Sequence, residues 1–580
     1  MVTGLVEGIS WLIKQRIWGE IIRMSVHVIW MDPVANLIWV GLPGVLLALT
    51  ALACPRWLRW RAAMGILVFF SSLSLVLLFT SMNRLVVLVV CLGLAVRASR
   101  LMTNRRDSLL RLVRRSLPVL AALVVACAAG IGGWRRWYEY RARHGLPAAR
   151  AGAPNVLLII LDTVREQNLS AYGYERPTTP FLEHFAAEGT RFDLALAPAP
   201  WTLPSHGSIF TGRRPTSLGT VRNEPLDDRY PTISEALAAH GYSTGGFVAN
   251  LAYCPRELGL SRGFHHYEDY PMSLGTLVYA SRLGRVLMEF QRVQNLVGFH
   301  DILWRKNAAE VTGEFLRWQE HQQTHPFFAF LNYFDAHQPY IPPEPFRSRF
   351  TTITRPYVPR DVDVNFSDMT GDEIQWSEQQ YDGSLAAMDH SLGQLMSTLK
   401  SRGVLDNTIV IITADHGEHF GDHRKVSHGN SLYRQLLEVP LIIRYPARVP
   451  AGRVVSEPVS LADLPRTVLD MAALSDPYGF PGYSLNRYIK HDSTFDPNAI
   501  VLSEMPALEL PGATSLVQGN YHFIQWFEHP RQLFNLVEDP LETRDLAATP
   551  EGIRQIAKFN RALAEIQRDL PVKKPVRRPR

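Results

Sequence analysis

At 580 residues the chain exceeds one ordinary domain, and its formal charge of +6 is unevenly spread: residues 1–150 hold 19 Lys+Arg against 5 Asp+Glu, leaving the remainder net −8. A basic first part interleaved with long apolar runs excludes nucleic-acid binding as the main business and points to a membrane. Three of the four cysteines (Cys54, Cys91, Cys127) fall in those runs and only Cys254 lies outside them, so no disulfide framework is available to a soluble domain and the redox compartment stays unread.

Residues 1–33 alternate apolar and charged positions, with Lys14, Arg16, Glu20 and Arg23 inside, the pattern of an interfacial amphipathic helix. Residues 34–134 read as a transmembrane region of about four helices: Val34–Cys54, Ala62–Thr80, Leu85 to about Val96, and Ser116–Trp134, the third being short for a crossing. Arg56, Arg59 and Arg61 in one loop, and seven arginines within 97–115, assign both loops to the cytoplasm. Four spans then put everything after Trp134 on the periplasmic or cell-surface side; three would leave it cytoplasmic. Residues 135–153 read as a helical stalk followed by a small-residue linker.

From residue 154 the pattern becomes α/β, with strand-like runs alternating with helix-like segments. Val156–Leu161 is a continuous apolar run ending on Asp162, an inner parallel strand with an acid at its carboxyl end, where open α/β sheets place ligands. Trp201-Thr202-Leu203-Pro204-Ser205-His206 leads into an apolar helical segment, which puts Thr202 near a helix N-terminus, a site that favours anionic oxygens. Residues 231–250 read helix, glycine turn, strand; 327–334 read as a buried strand before Asp335 and His337; 377–403 read as a long helix; and 408–415 read as a strand ending on Asp415-His416. Residues 265–325 resemble a helical insertion able to shape substrate access. After about 475 the segments shorten, with a hairpin turning at Gly519-Asn520, and the tail 571–580 is basic and proline-broken.

Three strand ends thus converge: Asp162, His337 and Asp415-His416. Carboxylate and imidazole donors suit one divalent ion, Zn or Mn, while a mainly oxygen site suits Ca or Mg. Such an ion activates a hydroxyl, and Thr202 supplies one that is a poor nucleophile unaided. Each residue taken singly has a plainer reading: Asp162 and Thr202 as helix caps, His337 as a core histidine, Lys425 as a solvated loop lysine. His184, His240, His265, His266, His419 and His423 read as surface or loop residues. Ser205-His206 lacks the G-x-S-x-G context of a serine hydrolase.

Several motifs in order resemble the sulfatase-like branch of the alkaline phosphatase superfamily: LDTVR, YGYERPTTPFLEHFAAEGTRF, APWTLPSHGSIFTG, FDAHQPY, TADHGEHFGDH, HGNSLY and LFNLVEDPLETRDLA. The resemblance spans roughly residues 154–550. It implies a doubly wound sheet as catalytic domain over 154–475 and a small α+β subdomain over 476–570. It also implies that the residue at Thr202 is the nucleophile and that Asp162, Thr202, Asp415 and His416 hold the metal. The sequence departs from true sulfatases at two places. Their convertible Cys or Ser and following Arg, in C/S-x-P-S/A-R, are here Thr202 and His206, and the paired acids after the first strand are Asp162-Thr163. An acid, a threonine and an Asp-His pair match the single-metal phosphoethanolamine and phosphoglycerol transferases of the same superfamily. In that comparison His337 and His428 are substrate-side histidines that bind phosphoryl oxygens or protonate a leaving alkoxide, and Lys425 could neutralise a bound anion. The expected protein is a membrane-anchored hydrolase or phosphotransferase acting on phosphate or sulfate esters of extracytoplasmic glycans or lipids. An ordinary sulfatase and a catalytically inactive membrane binding protein remain as alternatives, separated by sulfate release and by metal binding.

Overall fold

Apolar runs too long for a water-soluble core open the chain as helices. The computed structural model describes the whole chain except residues 19–24, 54–59, 80–81, 221–223, 272, 289, 291–292, 294–304, 323, 354–368, 491–495, 497–498, 507–511 and 569–580. The tail 571–580 and the loop arginines Arg56 and Arg59 therefore lie outside the described residues. Helices run over Val2–Trp18, Val28–Ala53, Trp60–Val76, Arg84–Asn104 and Arg106–His144. Three of them, Val28–Ala53, Arg84–Asn104 and Arg106–His144, are long and apolar enough to cross a membrane.

This corrects the expected lengths. The run from Leu85 is not short, because arginine is a good helix former and carries the helix through Arg97 and Arg100 to Asn104. The short one among the expected crossings is instead Trp60–Val76, with 17 residues. The run Ser116–Trp134 lies inside a 39-residue helix that continues as the stalk to His144. Leu42, Val45, Leu49, Leu52, Val89, Leu92, Val119 and Val125 are all exposed, far more apolar surface than water tolerates on a monomer. The helix Val2–Trp18 turns Val2, Val6, Ile9, Ile13 and Ile17 outward and buries Glu7, the reverse of a water-facing helix.

The chain forms two compact units: residues 1–144 with 270–304, and residues 145–269 with 305–580. The segment read as one insertion is divided between them. Helices Leu274–Ala280 and Arg282–Met288 belong to the first unit, whereas Ala308–Gln319 packs on the sheet of the second.

That sheet has nine strands. They are β1 (Asn155–Leu161), β2 (Thr190–Leu196), β3 (Ser243–Val248), β4 (His266–Glu268), β5 (Phe327–Tyr333) and β6 (Thr408–Thr413), with β9 (Glu438–Arg444), β10 (Arg453–Val455) and β11 (Val459–Ser460); the short β7 (His419–Phe420) and β8 (Val426–Ser427) pair with each other. The order is β10-β2-β9-β6-β1-β5-β3-β4, with β11 also on β2. It is mixed rather than all parallel, since β9 runs antiparallel to both β2 and β6. At the centre β1 pairs in parallel with β5 (Leu161 opposite Tyr333) and with β6 (Ile160 opposite Thr413). Because all three are buried Val/Ile/Leu/Phe-rich strands in parallel register, their carboxyl ends fall side by side. Asp162, His337 and Asp415-His416 follow those three ends.

The C-terminal part is an antiparallel meander of β12 (Val501–Met505), β13 (Ala513–Gln518), β14 (Tyr521–Trp526) and β15 (Gln532–Asn535). Its β13–β14 hairpin turns at Gly519-Asn520, with Gly519 at φ +54°, as the sequence indicates. The helix Pro550–Arg568 seals one face by packing Phe559 on Leu516, Phe523 and Leu533. Strand β12 is tied to the segment ahead of Thr202: Ser503 Oγ donates to the Ala197 carbonyl at 2.7 Å and the Glu504 N–H to that of Pro198 at 2.8 Å.

Candidate active site

The helix Thr202–Thr211 is buried along its whole length and begins at Thr202, preceded by an extended Trp201 (φ −148°) and closed by Gly212 in the left-handed region (φ +67°). Its first N–H groups have no partner within the helix, so the Thr202 end presents positive potential. Thr202 Oγ1 lies 3.3 Å from His416 Nε2. The other His416 nitrogen, Nδ1, donates to the Gly417 carbonyl at 3.0 Å, which fixes the tautomer and leaves an Nε2 lone pair facing the hydroxyl.

One donor atom from each of Asp162, Asp415 and His416 lies within 4.8 Å of the others. Asp162 Oδ2 accepts from Asn250 Nδ2 at 2.8 Å and from Asn332 Nδ2 at 3.2 Å. Asp415 Oδ1 accepts from the Thr163 N–H at 3.2 Å and the His416 N–H at 3.0 Å. The remaining oxygens, Asp162 Oδ1 and Asp415 Oδ2, are buried without a hydrogen bond. Burial pushes the Asp415 carboxyl up to about 7, and burial and then the neighbouring Asp415 push Asp162 well above the usual carboxylate range. Two desolvated carboxylates, each with one orphaned oxygen, beside an imidazole lone pair and a hydroxyl, are a donor set that a divalent cation fits. Thr163, in the place of the expected second acid, adopts φ +61° and contributes its backbone N–H to Asp415.

Two further histidines close on Thr202. His337 donates from Nδ1 to the Gln338 carbonyl at 2.8 Å, and its buried Nε2 has no partner. His428 pairs through Nδ1 with Glu418 Oε1 at 3.0 Å. The His428 ring centroid is 4.6 Å from that of His416, 5.0 Å from His337 and 4.9 Å from Trp201. Burial lowers the His416 pKa, and burial followed by His428 holds His337 well below the ordinary histidine value, so both rest neutral.

The structure therefore brings together Asp162, Thr202, Asp415, His416, His337 and His428. Lys425 stands apart. It is half-buried at the start of β8 and lines a cavity of about 510 Å³ with Asn430, Tyr433, Trp526, His529 and Gln532. Ser205 and His206 do not form a dyad: Ser205 Oγ donates to the Asp415 carbonyl at 2.7 Å and His206 Nδ1 to that of Thr202 at 2.9 Å. Cys254 is closer to the site than its sequence context suggests, with Sγ 3.9 Å from His206 Nε2. Burial and the nearby Asp162 and Asp415 push its thiol well up, so it stays protonated. His419 is buried rather than on the surface, held by Ser431 Oγ at 2.8 Å, because the short β7–β8 ribbon folds back against 430–433.

Sequence reasoning missed Glu418, Asn250, Asn332 and Arg165. Glu418, two residues after His416, was legible as an extra acid in the DHGEH run; Asn332 was legible as a polar residue in an otherwise apolar buried strand. Arg165 is buried and fully engaged, bonding Asp422 at 2.8 Å, Glu378 at 2.9 Å and the Glu418 carbonyl at 3.2 Å, which makes it a brace for the Glu418 loop.

The mixed sheet, the small C-terminal subdomain and the strand-end donors define the alkaline phosphatase-like class of α/β ester hydrolases. The sulfatase family profile matches residues 154–474, and the chain belongs to the sulfatase family. It is a sulfatase-like ester hydrolase. A second profile, the C-terminal region of N-sulphoglucosamine sulphohydrolase, matches residues 421–569. The chain is similar to arylsulfatase K of Bos taurus, 27% identical over 74% of this chain and 83% of the relative. It is also similar to the Delta 4,5-hexuronate-2-O-sulfatase of Bacteroides thetaiotaomicron, 24% identical over 73% of this chain and 89% of that one. Among solved structures, the phosphonate monoester hydrolase of Agrobacterium radiobacter superposes with a TM-score of 0.58 at 22% identity, covering 73% of this chain and 100% of its own, and shows the fold.

Proposed function

We propose that this chain is a membrane-tethered, divalent-metal-dependent ester hydrolase or transferase that works through a covalent Thr202 intermediate on a phosphate or sulfate ester of an extracytoplasmic glycan or lipid. The observation that carries the proposal is Thr202 Oγ1 at a buried helix N-terminus, 3.3 Å from His416 and beside two carboxylates with orphaned oxygens. Asp162, Asp415, His416 and Thr202 would hold the cation, which supplies positive charge that lowers the pKa of the hydroxyl and neutralises the ester. Thr202 Oγ1 attacks phosphorus or sulfur. His428, oriented by Glu418, takes up the Thr202 proton and passes it to the leaving alkoxide, and His337, whose Nε2 is a lone pair while the ring is neutral, would bind a non-bridging oxygen through Nε2–H once protonated. The helix N-terminus stabilises charge developing on the equatorial oxygens. Water or an alcohol then displaces Thr202 Oγ1.

A threonine side chain cannot yield the aldehyde of formylglycine, since its Cβ carries a methyl group, so the two-step ester route replaces hydrate chemistry. This favours phosphate, whose threonine ester is open to attack at phosphorus. The names of the sulfatase relatives favour sulfate. The apolar helices support membrane tethering. The arginines within 97–115 straddle the break between the helices ending at Asn104 and starting at Arg106, which supports a cytoplasmic turn there and a catalytic unit on the opposite side. The test is turnover of aryl phosphate, aryl phosphonate and aryl sulfate by full-length protein with Zn or Mn. Metal-dependent turnover lost in T202A supports the reading; undiminished turnover in T202A overturns it.

A further inference from the structure

The first unit buries an acidic pair that the sulfatase chemistry does not use. Glu7 and Asp32 are both fully buried, Asp32 within a helix long and apolar enough to cross a membrane. Acids at such positions are costly unless something compensates them. Glu7 is compensated. Its Oε2 accepts from Asn36 Nδ2 at 2.8 Å and from Ser74 Oγ at 2.9 Å, and its Oε1 accepts from the Arg282 N–H. Asp32 is not: neither carboxylate oxygen has a hydrogen bond.

A second, independent group points the same way. Asn36, one helical turn on from Asp32 and 1% exposed, donates from Nδ2 to Glu7 and to the Asp32 carbonyl, while its Oδ1 has no partner. Three buried acceptor oxygens, Asp32 Oδ1, Asp32 Oδ2 and Asn36 Oδ1, thus sit beside the Glu7 carboxylate with no donor left to meet them. Gly4 and Gly8 let helix Val2–Trp18 pack closely at Asp32: a Cβ on Gly4 would strike the Asp32 backbone, and one on Gly8 would come 3.7 Å from Asp32 Oδ2. The charge count identifies the missing partner. When Glu7 and Asp32 are both ionised they bring two negative charges, and the guanidinium of Arg285 acts on both, leaving one negative charge to balance.

We propose that Asp32, Asn36 and Glu7 form a binding site for a desolvated monovalent cation, such as sodium, held by hard oxygen donors inside the helical unit. Its components come from helices Val2–Trp18 and Val28–Ala53 and are closed by Ser74 and the Arg282 N–H, so cation binding couples the N-terminal helices to the helix Arg282–Met288.

The experiment uses full-length protein in lipid nanodiscs, with thermal unfolding followed while NaCl replaces choline chloride at constant ionic strength and pH. Wild type is expected to gain about 3 °C or more between zero and 100 mM Na⁺, and D32N to show the same Tm in both salts. Should D32N fail to assemble, N36A, which removes one orphaned acceptor and no charge, is expected to need about tenfold more Na⁺ for half the shift. Equal Tm of wild type in Na⁺ and choline at every pH overturns the proposal. So does a Na⁺ response that survives in D32N, or a Tm that follows pH and ignores Na⁺, which would make the partner of Asp32 a proton.

Discussion

Without a cation between them, the two carboxylates at the strand ends stand against each other, and the cost is readable as a pH dependence. In the metal-free protein Asp415 titrates near 7 instead of the ordinary 3.8, because it is fully buried. A carboxyl whose folded pKa lies above its unfolded value destabilises the fold when ionised. Its penalty is absent below the unfolded pKa, grows from about pH 4, and is complete above about pH 7. Three pKa units at about 1.4 kcal/mol each give a loss of about 4 kcal/mol from Asp415 alone, with Asp162 adding in the same direction. A bound divalent cation cancels the penalty by pairing with both carboxylates, so metal should stabilise least near pH 5 and most near pH 8. The assay is Tm of the full-length protein with excess Zn or Mn and with EDTA across that range. Taking the difference removes the opposing contribution of buried neutral histidines such as His337, whose depressed pKa makes acid destabilising whether or not metal is bound. The gap between the two curves should widen by roughly 4–8 °C from pH 5 to pH 8, and D415N should flatten it. A gap that is constant with pH, or widest in acid, would refute the assignment of Asp162 and Asp415 to one cation site.

E418Q removes the carboxyl whose Oε1 meets His428 Nδ1 and should lower kcat about 10–100-fold with a smaller change in KM, measured by steady-state kinetics on an aryl ester. G429A should lose at least about tenfold in activity while still binding metal by calorimetry. Gly429 is at φ +74°, and a Cβ there would strike the Trp201 ring next to Thr202 and His428. K425A should raise KM about tenfold, about 1.4 kcal/mol, for an anionic oligosaccharide ester if the cavity it lines receives the rest of the substrate; an unchanged KM would leave Lys425 without a binding role.

Much of the site was legible because its donors stand where local pattern is strongest. Asp162, Asp415 and His416 follow six- or seven-residue apolar strands, and an acid breaking such a run marks the strand end where sheets present ligands. Thr202 was found through Pro204 and the helical segment behind it, and Gly519-Asn520 through its turn chemistry. What the sequence hid depends on tertiary contact. Glu418 acquires its role only because the β7–β8 ribbon returns His428 to it, and Asn250 reaches Asp162 from 88 residues away. The antiparallel entry of β9 between β2 and β6 leaves no mark in an apolar run, since parallel and antiparallel buried strands share one pattern. Amphipathic helices at 274–288 show that a partner exists but not which; they join the N-terminal helices rather than the catalytic sheet.

The proposed chemistry requires that Thr202 becomes covalently modified. Full-length protein, mixed with substoichiometric metal-activated aryl phosphate or aryl sulfate and quenched in acid within one turnover, should gain the mass of one phosphoryl or sulfuryl group, mapped by peptide sequencing to Thr202 and absent in T202A. Turnover of either ester without any adduct on Thr202, or an adduct on another residue, would contradict the account.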